Sequence, residues 1–135
     1  MIIDCHGHYT TEPDALTDYR KGQLAGVDKD PNFVPSEADF TCSDDEMRER
    51  LEPAQIRLQR ERGSDVTIFS PRAVGMGHHL GTEKTSEYWA TICNNMVRRA
   101  CDLYPENFVP VCQLPQYPGV EPKKCVPELN RCVNE

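Results

Sequence analysis

The sequence lacks the features that mark several large classes of protein. Its 15 lysine and arginine residues face 22 aspartate and glutamate residues, and the net charge of −7 argues against a nucleic-acid surface or a polybasic membrane anchor. No apolar run approaches the length of a transmembrane helix, and Asp4 interrupts the N-terminal apolar run before it could serve as a signal peptide. We therefore expect neither a nucleic-acid partner nor a membrane partner.

The cysteine pattern argues against a disulfide-stabilised protein. There are seven cysteines, an odd number, and no Cys-x-x-Cys spacing occurs among them. Because nothing favours secretion, we predict reduced thiols in a cytoplasmic protein rather than a disulfide scaffold. No glycine-rich phosphate loop follows the first apolar segment, so a dinucleotide site is not indicated.

Apolar patterning predicts alternating strands and helices. The predicted strands are residues 2–5, 66–70 and 108–114, and the predicted helices are residues 11–26, 43–63, 82–104 and 121–135. Helices between successive strands are typical of an α/β fold whose parallel strands are joined by helical crossovers. Three such strands form a small sheet with exposed edges. We therefore expect residues 1–135 to be one incomplete domain, the first part of a larger α/β protein.

The first predicted strand ends in a pair of histidines, His6 and His8. Side chains on a strand alternate between faces, so these imidazoles should point to one side, about 7 Å apart along the backbone. By the same count Asp4 shares their face, while Cys5 points away into the core. Two convergent imidazoles suit a divalent metal such as zinc, although a chance pair of histidines near a chain terminus is the simpler alternative.

Further polar side chains follow the second predicted strand. Arg72 could hold a substrate carboxylate through the planar fork of its guanidinium, and Ser70 could donate a hydrogen bond to substrate. His78 and His79 are adjacent in a loop, so their side chains should diverge and could not easily share a metal. One of them could line a substrate site. A solvated turn and a polar loop are the alternatives for all four residues.

The segment from Ile2 to His8 resembles the start of the amidohydrolase-related enzymes, which are metal-dependent (β/α)8 barrels. Further stretches resemble one branch of this family, which includes aminocarboxymuconate-semialdehyde decarboxylase and the resorcylate decarboxylases. These stretches are residues 8–11, 69–72, 77–79 and 127–133. The resemblance implies that the chain is the N-terminal part of a (β/α)8 TIM barrel in which His6 and His8 bind a metal, taken as zinc. The remaining ligands and the general base are expected from later strands.

The resemblance also implies a hydro-lyase acting on a small oxo-tricarboxylate, a ring-cleavage product of aromatic catabolism, with water added to its double bond. A decarboxylase of the same branch is the first alternative. A non-catalytic half-barrel that needs a partner chain is the second. Either way, residues 1–135 alone should be inactive, and a homo-oligomer of the complete enzyme stays open.

Overall fold

The protein is described by a computed structural model that covers residues 1–72 and 80–134. Three parallel strands, β1 to β3, form a sheet in the order β1-β2-β3; they span Ile3–Gly7, Val66–Phe69 and Phe108–Pro110. Five α-helices, α1 to α5, span Asp14–Lys29, Asp44–Arg50, Arg57–Arg62, Glu83–Leu103 and Val126–Asn134. A helix separates each strand from the next, which confirms the predicted parallel sheet with helical crossovers. In the described ranges, no helix is long and apolar enough to cross a membrane.

Several local signals place the helix ends where the sequence predicts them. The Ser43 hydroxyl accepts a hydrogen bond from the backbone N–H of Glu46 at 3.1 Å and so begins α2. Pro53 lies in a short π-helical segment, Leu51–Ile56, between α2 and α3, because it offers no N–H to a regular helix. Gly63 ends α3 in the left-handed conformation, with a φ of 68°.

Other predicted boundaries are wrong. Helix α1 begins after Pro13 rather than at Thr11, and it continues through Gly26 to Lys29. Gly26 is needed inside the helix because Phe33 packs against its α-carbon, and an added Cβ would lie 2.3 Å from the ring carbons. Strand β3 ends at Pro110 instead of residue 114, and the last helix starts as a 3₁₀ turn, Pro122–Cys125.

The main core lies between the sheet and α4. Phe69 of β2 is fully buried, and its ring stacks on Phe108 with the centroids 4.5 Å apart. Tyr9 meets Phe69 edge-on at 4.8 Å, and its hydroxyl donates to the Met96 carbonyl at 3.1 Å. Burial raises the pKa of Tyr9 well above its ordinary value of 10.0, so this hydroxyl stays protonated. Tyr9 is therefore a packing residue.

Strand β1 is exposed, although the sequence predicts a buried strand. Ile2 is 60 % exposed and Ile3 53 % exposed, because β1 is an edge strand and only β2 pairs with it. Cys5, predicted to lie in the core, is exposed for the same reason. All seven cysteines are free thiols, as the sequence predicts.

A polar network joins α4, α5 and the segment after β3. The buried Asn94 side chain binds both backbone groups of Gln113: its Oδ1 accepts from N–H at 2.6 Å, and its Nδ2 donates to C=O at 2.8 Å. Nδ2 also donates to Glu128 Oε1 at 2.7 Å. Arg131 holds the same carboxylate through two of its nitrogens, at 2.8 and 2.7 Å. The network thus fixes the backbone just beyond the carboxyl end of β3.

The network makes stability depend on pH through Glu128. Burial alone would raise the pKa of this carboxyl, but the hydrogen bonds from Arg131 and Asn94 outweigh it and lower the pKa below its ordinary value of 4.5. A carboxyl whose pKa is lower in the folded state adds stability above its unfolded pKa, and that stability is lost as the pH falls through the folded pKa. We expect Glu128→Gln to destabilise the chain at pH 7 and to do so less and less below pH 4.5.

Urea unfolding of the wild-type and Glu128→Gln proteins from pH 7 to pH 3 measures this pH-dependent loss of stability. The quantity of interest is the difference in unfolding free energy between wild type and Glu128→Gln at each pH, because the other carboxyl groups cancel in it. Glu121→Gln is the matched control, since among residues 1–72 and 80–134 its carboxylate pairs with Lys123, on an exposed turn. A difference for Glu128→Gln that stays constant with pH would contradict the prediction.

Candidate metal and substrate site

The pairing of β1 with β2 contains a bulge next to the two histidines. Asp4 lies opposite Thr67, but Gly7, three residues on, lies opposite Phe69, only two residues further along β2. Residues paired on neighbouring strands share a face, so Asp4 and Gly7 both lie on the face of the sheet that holds Thr67 and Phe69. The alternation count that groups Asp4 with the histidines is therefore wrong across the bulge. His6 and His8 flank Gly7 and lie on the opposite face.

Gly7 is needed at this point because the sheet leaves no room for a side chain. A Cβ at Gly7 would lie 2.0 Å from Cγ2 of Thr67, which is only 1 % exposed. The glycine thus lets β1 approach β2 closely at the position between the two imidazoles. Glycine is therefore required at position 7 by the contact with the neighbouring strand β2.

The two imidazoles are close to each other, with ring centroids 5.8 Å apart and planes at 83°. His8 Nδ1 lies 3.3 Å from the carbonyl oxygen of Tyr9. A carbonyl can only accept, so this contact favours the tautomer with the proton on Nδ1 and leaves Nε2 with a free lone pair. That lone pair is what a metal ion needs from a histidine.

Ser70 fastens the end of β2 to the same part of β1. Its backbone N–H donates to the Gly7 carbonyl at 2.8 Å, and its hydroxyl donates to the same oxygen at 3.1 Å. The single hydroxyl proton is used within the protein, and the oxygen lone pairs remain able to accept. Ser70 thus holds the peptide between His6 and His8 in place.

Arg72 follows β2 and lies against the loop that follows β1. Its Nε is 3.9 Å from Oε1 of Glu12, and the Arg72 side chain is 37 % exposed, so the guanidinium remains accessible. Glu12 was not singled out by the sequence patterns. The signal that could have found it is an acidic residue four positions after His8, in a loop at the carboxyl end of a parallel strand.

The described residues supply only part of a metal centre. A catalytic zinc ion usually has three protein ligands and an open position for water. Within residues 1–72 and 80–134, no group of three or more histidine, cysteine, aspartate or glutamate side chains could hold a metal ion. The predicted substrate-binding residues His78 and His79 lie outside the described residues. His6 and His8 therefore fit a divalent metal as two ligands of a larger set.

Comparison with known proteins shows which family the chain belongs to. The profile of the family described as Amidohydrolase matches residues 3–135. The chain is 47 % identical over 135 residues to 2-keto-4-carboxy-3-hexenedioate hydratase of Sphingobium sp. strain NBRC 103272 / SYK-6, all of this chain and 39 % of that protein. It superposes on the crystal structure of 4-oxalomesaconate hydratase, LigJ, from Rhodopseudomonas palustris with a TM-score of 0.87 and 47 % identity. That match covers 98 % of this chain and 39 % of the other.

The chain thus spans about two-fifths of the length of the relatives it matches, 39 % in both comparisons. The predicted barrel segment of three parallel strands is confirmed by the superposition. The profile match covers nearly the whole sequence, and the histidine pair stands where a strand of the sheet ends. This chain belongs to the amidohydrolase family.

Proposed function

We propose that this chain is the metal-binding and carboxylate-binding part of a hydratase that adds water to the double bond of 4-oxalomesaconate. The observation that carries the proposal is the placement of His6 and His8 at the carboxyl end of β1 and of Arg72 just beyond the carboxyl end of the neighbouring strand β2. A site for a tricarboxylate needs a cation that recognises carboxylate and a group that activates water, and these residues offer both. The 47 % identity to two proteins named as hydratases supports the choice of reaction.

Each residue has a separate part in the proposal. Arg72 binds one substrate carboxylate, and Ser70 holds the Gly7 carbonyl, between His6 and His8, in place. His6 and His8 hold a divalent metal, which we assign as zinc because two imidazoles suit it. When bound, such a metal supplies an acidified water and an electrophile for an oxygen of the substrate. The other ligands and the general base come from outside residues 1–135, and the free thiols support a cytoplasmic location.

A chimera tests this proposal. In this chimera, residues 1–135 replace the aligned 39 % of the Sphingobium hydratase. The rate of 4-oxalomesaconate hydration and the bound metal per protein are both measured. We expect metal-dependent turnover by the chimera and none by residues 1–135 alone. His6→Ala and His8→Ala should each lower kcat/KM of the chimera by more than about a hundredfold, because losing a metal ligand costs more than losing the groups that orient it.

Asp4→Asn is the matched control for the two histidine substitutions. Asp4 accepts a hydrogen bond from the backbone N–H of His6 at 3.1 Å, which asparagine can also accept, and its Cα lies on the opposite face. Metal content and kcat/KM should therefore stay near wild type. Release of CO₂ instead of a hydrated product would favour the decarboxylase, and an inactive chimera with normal metal content would refute both enzymes.

A further inference from the structure

The ion pair between Glu12 and Arg72 joins the two loops that border the candidate site. Glu12 belongs to the segment between β1 and α1, and Arg72 follows β2. The Glu12 side chain is 17 % exposed, less than half the exposure of Arg72 at 37 %. The carboxylate is thus the inner member of the pair, and the guanidinium is the outer, accessible member.

Glu12 is largely removed from water and sits above the core. Its charge adds to the raised pKa of Tyr9 and of Cys93, two buried groups beneath the site, although burial is the main cause for both. A carboxylate in such surroundings needs a cation nearby. Among the described residues, Arg72 is the cation within ion-pair distance of Glu12. The position of one is therefore tied to the position of the other.

Glu12 approaches only one end of the Arg72 guanidinium, so most of its N–H groups stay available to a ligand. A guanidinium carries five N–H groups, one on Nε and four on the two terminal nitrogens. Glu12 approaches at Nε, and the terminal nitrogens make no hydrogen bond to any other described residue. Those two nitrogens form the edge that binds a carboxylate with two parallel hydrogen bonds.

We propose that Glu12 is a positioning residue that holds Arg72 at Nε so that its terminal nitrogens face the substrate carboxylate. This inference rests on the proposed function, because it deepens the part that Arg72 has in substrate binding. Arginine has many rotamers, and fixing the guanidinium before binding lowers the entropy lost when substrate arrives. Substitution of Glu12 should therefore raise KM, because Arg72 is no longer held, and leave kcat near its wild-type value.

A double-mutant cycle in the chimera tests this coupling. Glu12→Ala and Arg72→Ala should each raise KM for 4-oxalomesaconate by about tenfold or more, and the double variant should be no worse than Arg72→Ala. Glu12→Gln keeps an acceptor for Nε and should fall between wild type and Glu12→Ala. Arg72→Lys keeps the charge but loses the fork, so it should resemble Arg72→Ala more than wild type. Metal content should stay unchanged throughout, and Tm should stay unchanged in the Glu12 variants, whereas Arg72→Ala leaves the Glu12 carboxylate without its cation and should lower Tm.

Glu61→Gln is the matched control for Glu12. It removes the carboxylate of another Glu–Arg pair, Arg57–Glu61, whose two side chains both lie on α3 and are each 55 % exposed. KM should not change in this variant. Effects of Glu12→Ala and Arg72→Ala that multiply in the double variant, or a fall in Tm or metal content with Glu12→Ala, would overturn the positioning role.

A second measurement on residues 1–135 separates this inference from the hydratase proposal. ¹⁵N relaxation at Nε of Arg72 should report a more ordered side chain in wild type than in Glu12→Ala, while the order of the Arg57 side chain stays the same. If the chimera does not hydrate 4-oxalomesaconate but this difference is seen, the proposed function fails and the pairing stands. If the Arg72 side chain is equally ordered in both proteins, Glu12 does not hold it.

Discussion

Gly7→Ala is expected to destabilise the chain by about 2–3 kcal/mol, an effect typical of overpacking. The new Cβ would lie 2.0 Å from Cγ2 of Thr67, far inside van der Waals contact. Thr67 is β-branched and 1 % exposed, so its methyl group cannot rotate into solvent. The strain must move β1 away from β2, and His6 and His8 would move with it. Urea unfolding monitored by circular dichroism measures the loss of stability, and metal titration measures the effect on the site.

Two companion variants show whether the clash is the cause. Thr67→Ser removes the clashing methyl, and the next atoms near the added Cβ, Ile68 O and Thr67 Cβ, are at an ordinary 3.5 Å. Gly7→Ala should therefore cost little when it is made in the Thr67→Ser protein. Gly22→Ala, in the middle of α1 with nothing within 4 Å, should instead stabilise by about 0.5–1 kcal/mol. A Gly7→Ala penalty that survives in the Thr67→Ser protein would refute the steric explanation.

The parts of the fold that could be predicted have strong local signals. Helix α4, predicted over residues 82–104, spans Glu83–Leu103 because a long run of apolar residues at helical spacing lies between the Thr82 cap and Pro105. Strand β2 was predicted at residues 66–70 from its β-branched and aromatic residues and spans Val66–Phe69. In both elements the local preference and the tertiary packing favour the same conformation.

The errors arise where distant contacts decide the structure. Strand β3 ends early because Asn94, on the preceding helix, binds the backbone of Gln113, a contact that no local pattern reveals. The apolar residues of β1 were predicted to be buried, yet Ile3 is 53 % exposed, and Val133 on the predicted apolar face of α5 is 73 % exposed. Burial depends on what covers a surface, and amphipathic spacing shows only which face could be covered.

The candidate site was predictable as residue types but not as an arrangement. The spacing of His6 and His8 indicated that they share a face, and their rings do lie together. The bulge that separates them from Asp4 has no sequence signal except Gly7 itself. Glu12 was missed because its importance depends on Arg72, 60 positions later, and pairing across such a distance cannot be read from one sequence.

Asn94→Asp is expected to destabilise the chain by at least about 3 kcal/mol, because it damages a buried network in two ways. Aspartate cannot donate, so the Gln113 carbonyl loses the partner that Asn94 Nδ2 provides at 2.8 Å. The new carboxylate also faces Glu128 Oε1, which now accepts from the same nitrogen at 2.7 Å. Two carboxylates at that distance in a buried site repel strongly. The backbone beyond β3 should become mobile, and hydrogen exchange of the Gln113 amide should speed up with the loss of stability.

Asn95→Asp provides the control for this last prediction, since Asn95 is the next residue of α4 and is exposed. The same chemical change there should alter the unfolding free energy by no more than about 0.5 kcal/mol. Adding Glu128→Gln to Asn94→Asp should recover part of the loss, because it removes the like charge and gives the new carboxylate an amide donor. The Gln113 carbonyl would still lack its partner, so recovery should be incomplete. If Asn94→Asp were as mild as Asn95→Asp, the network would not be what holds the carboxyl end of β3 to α4.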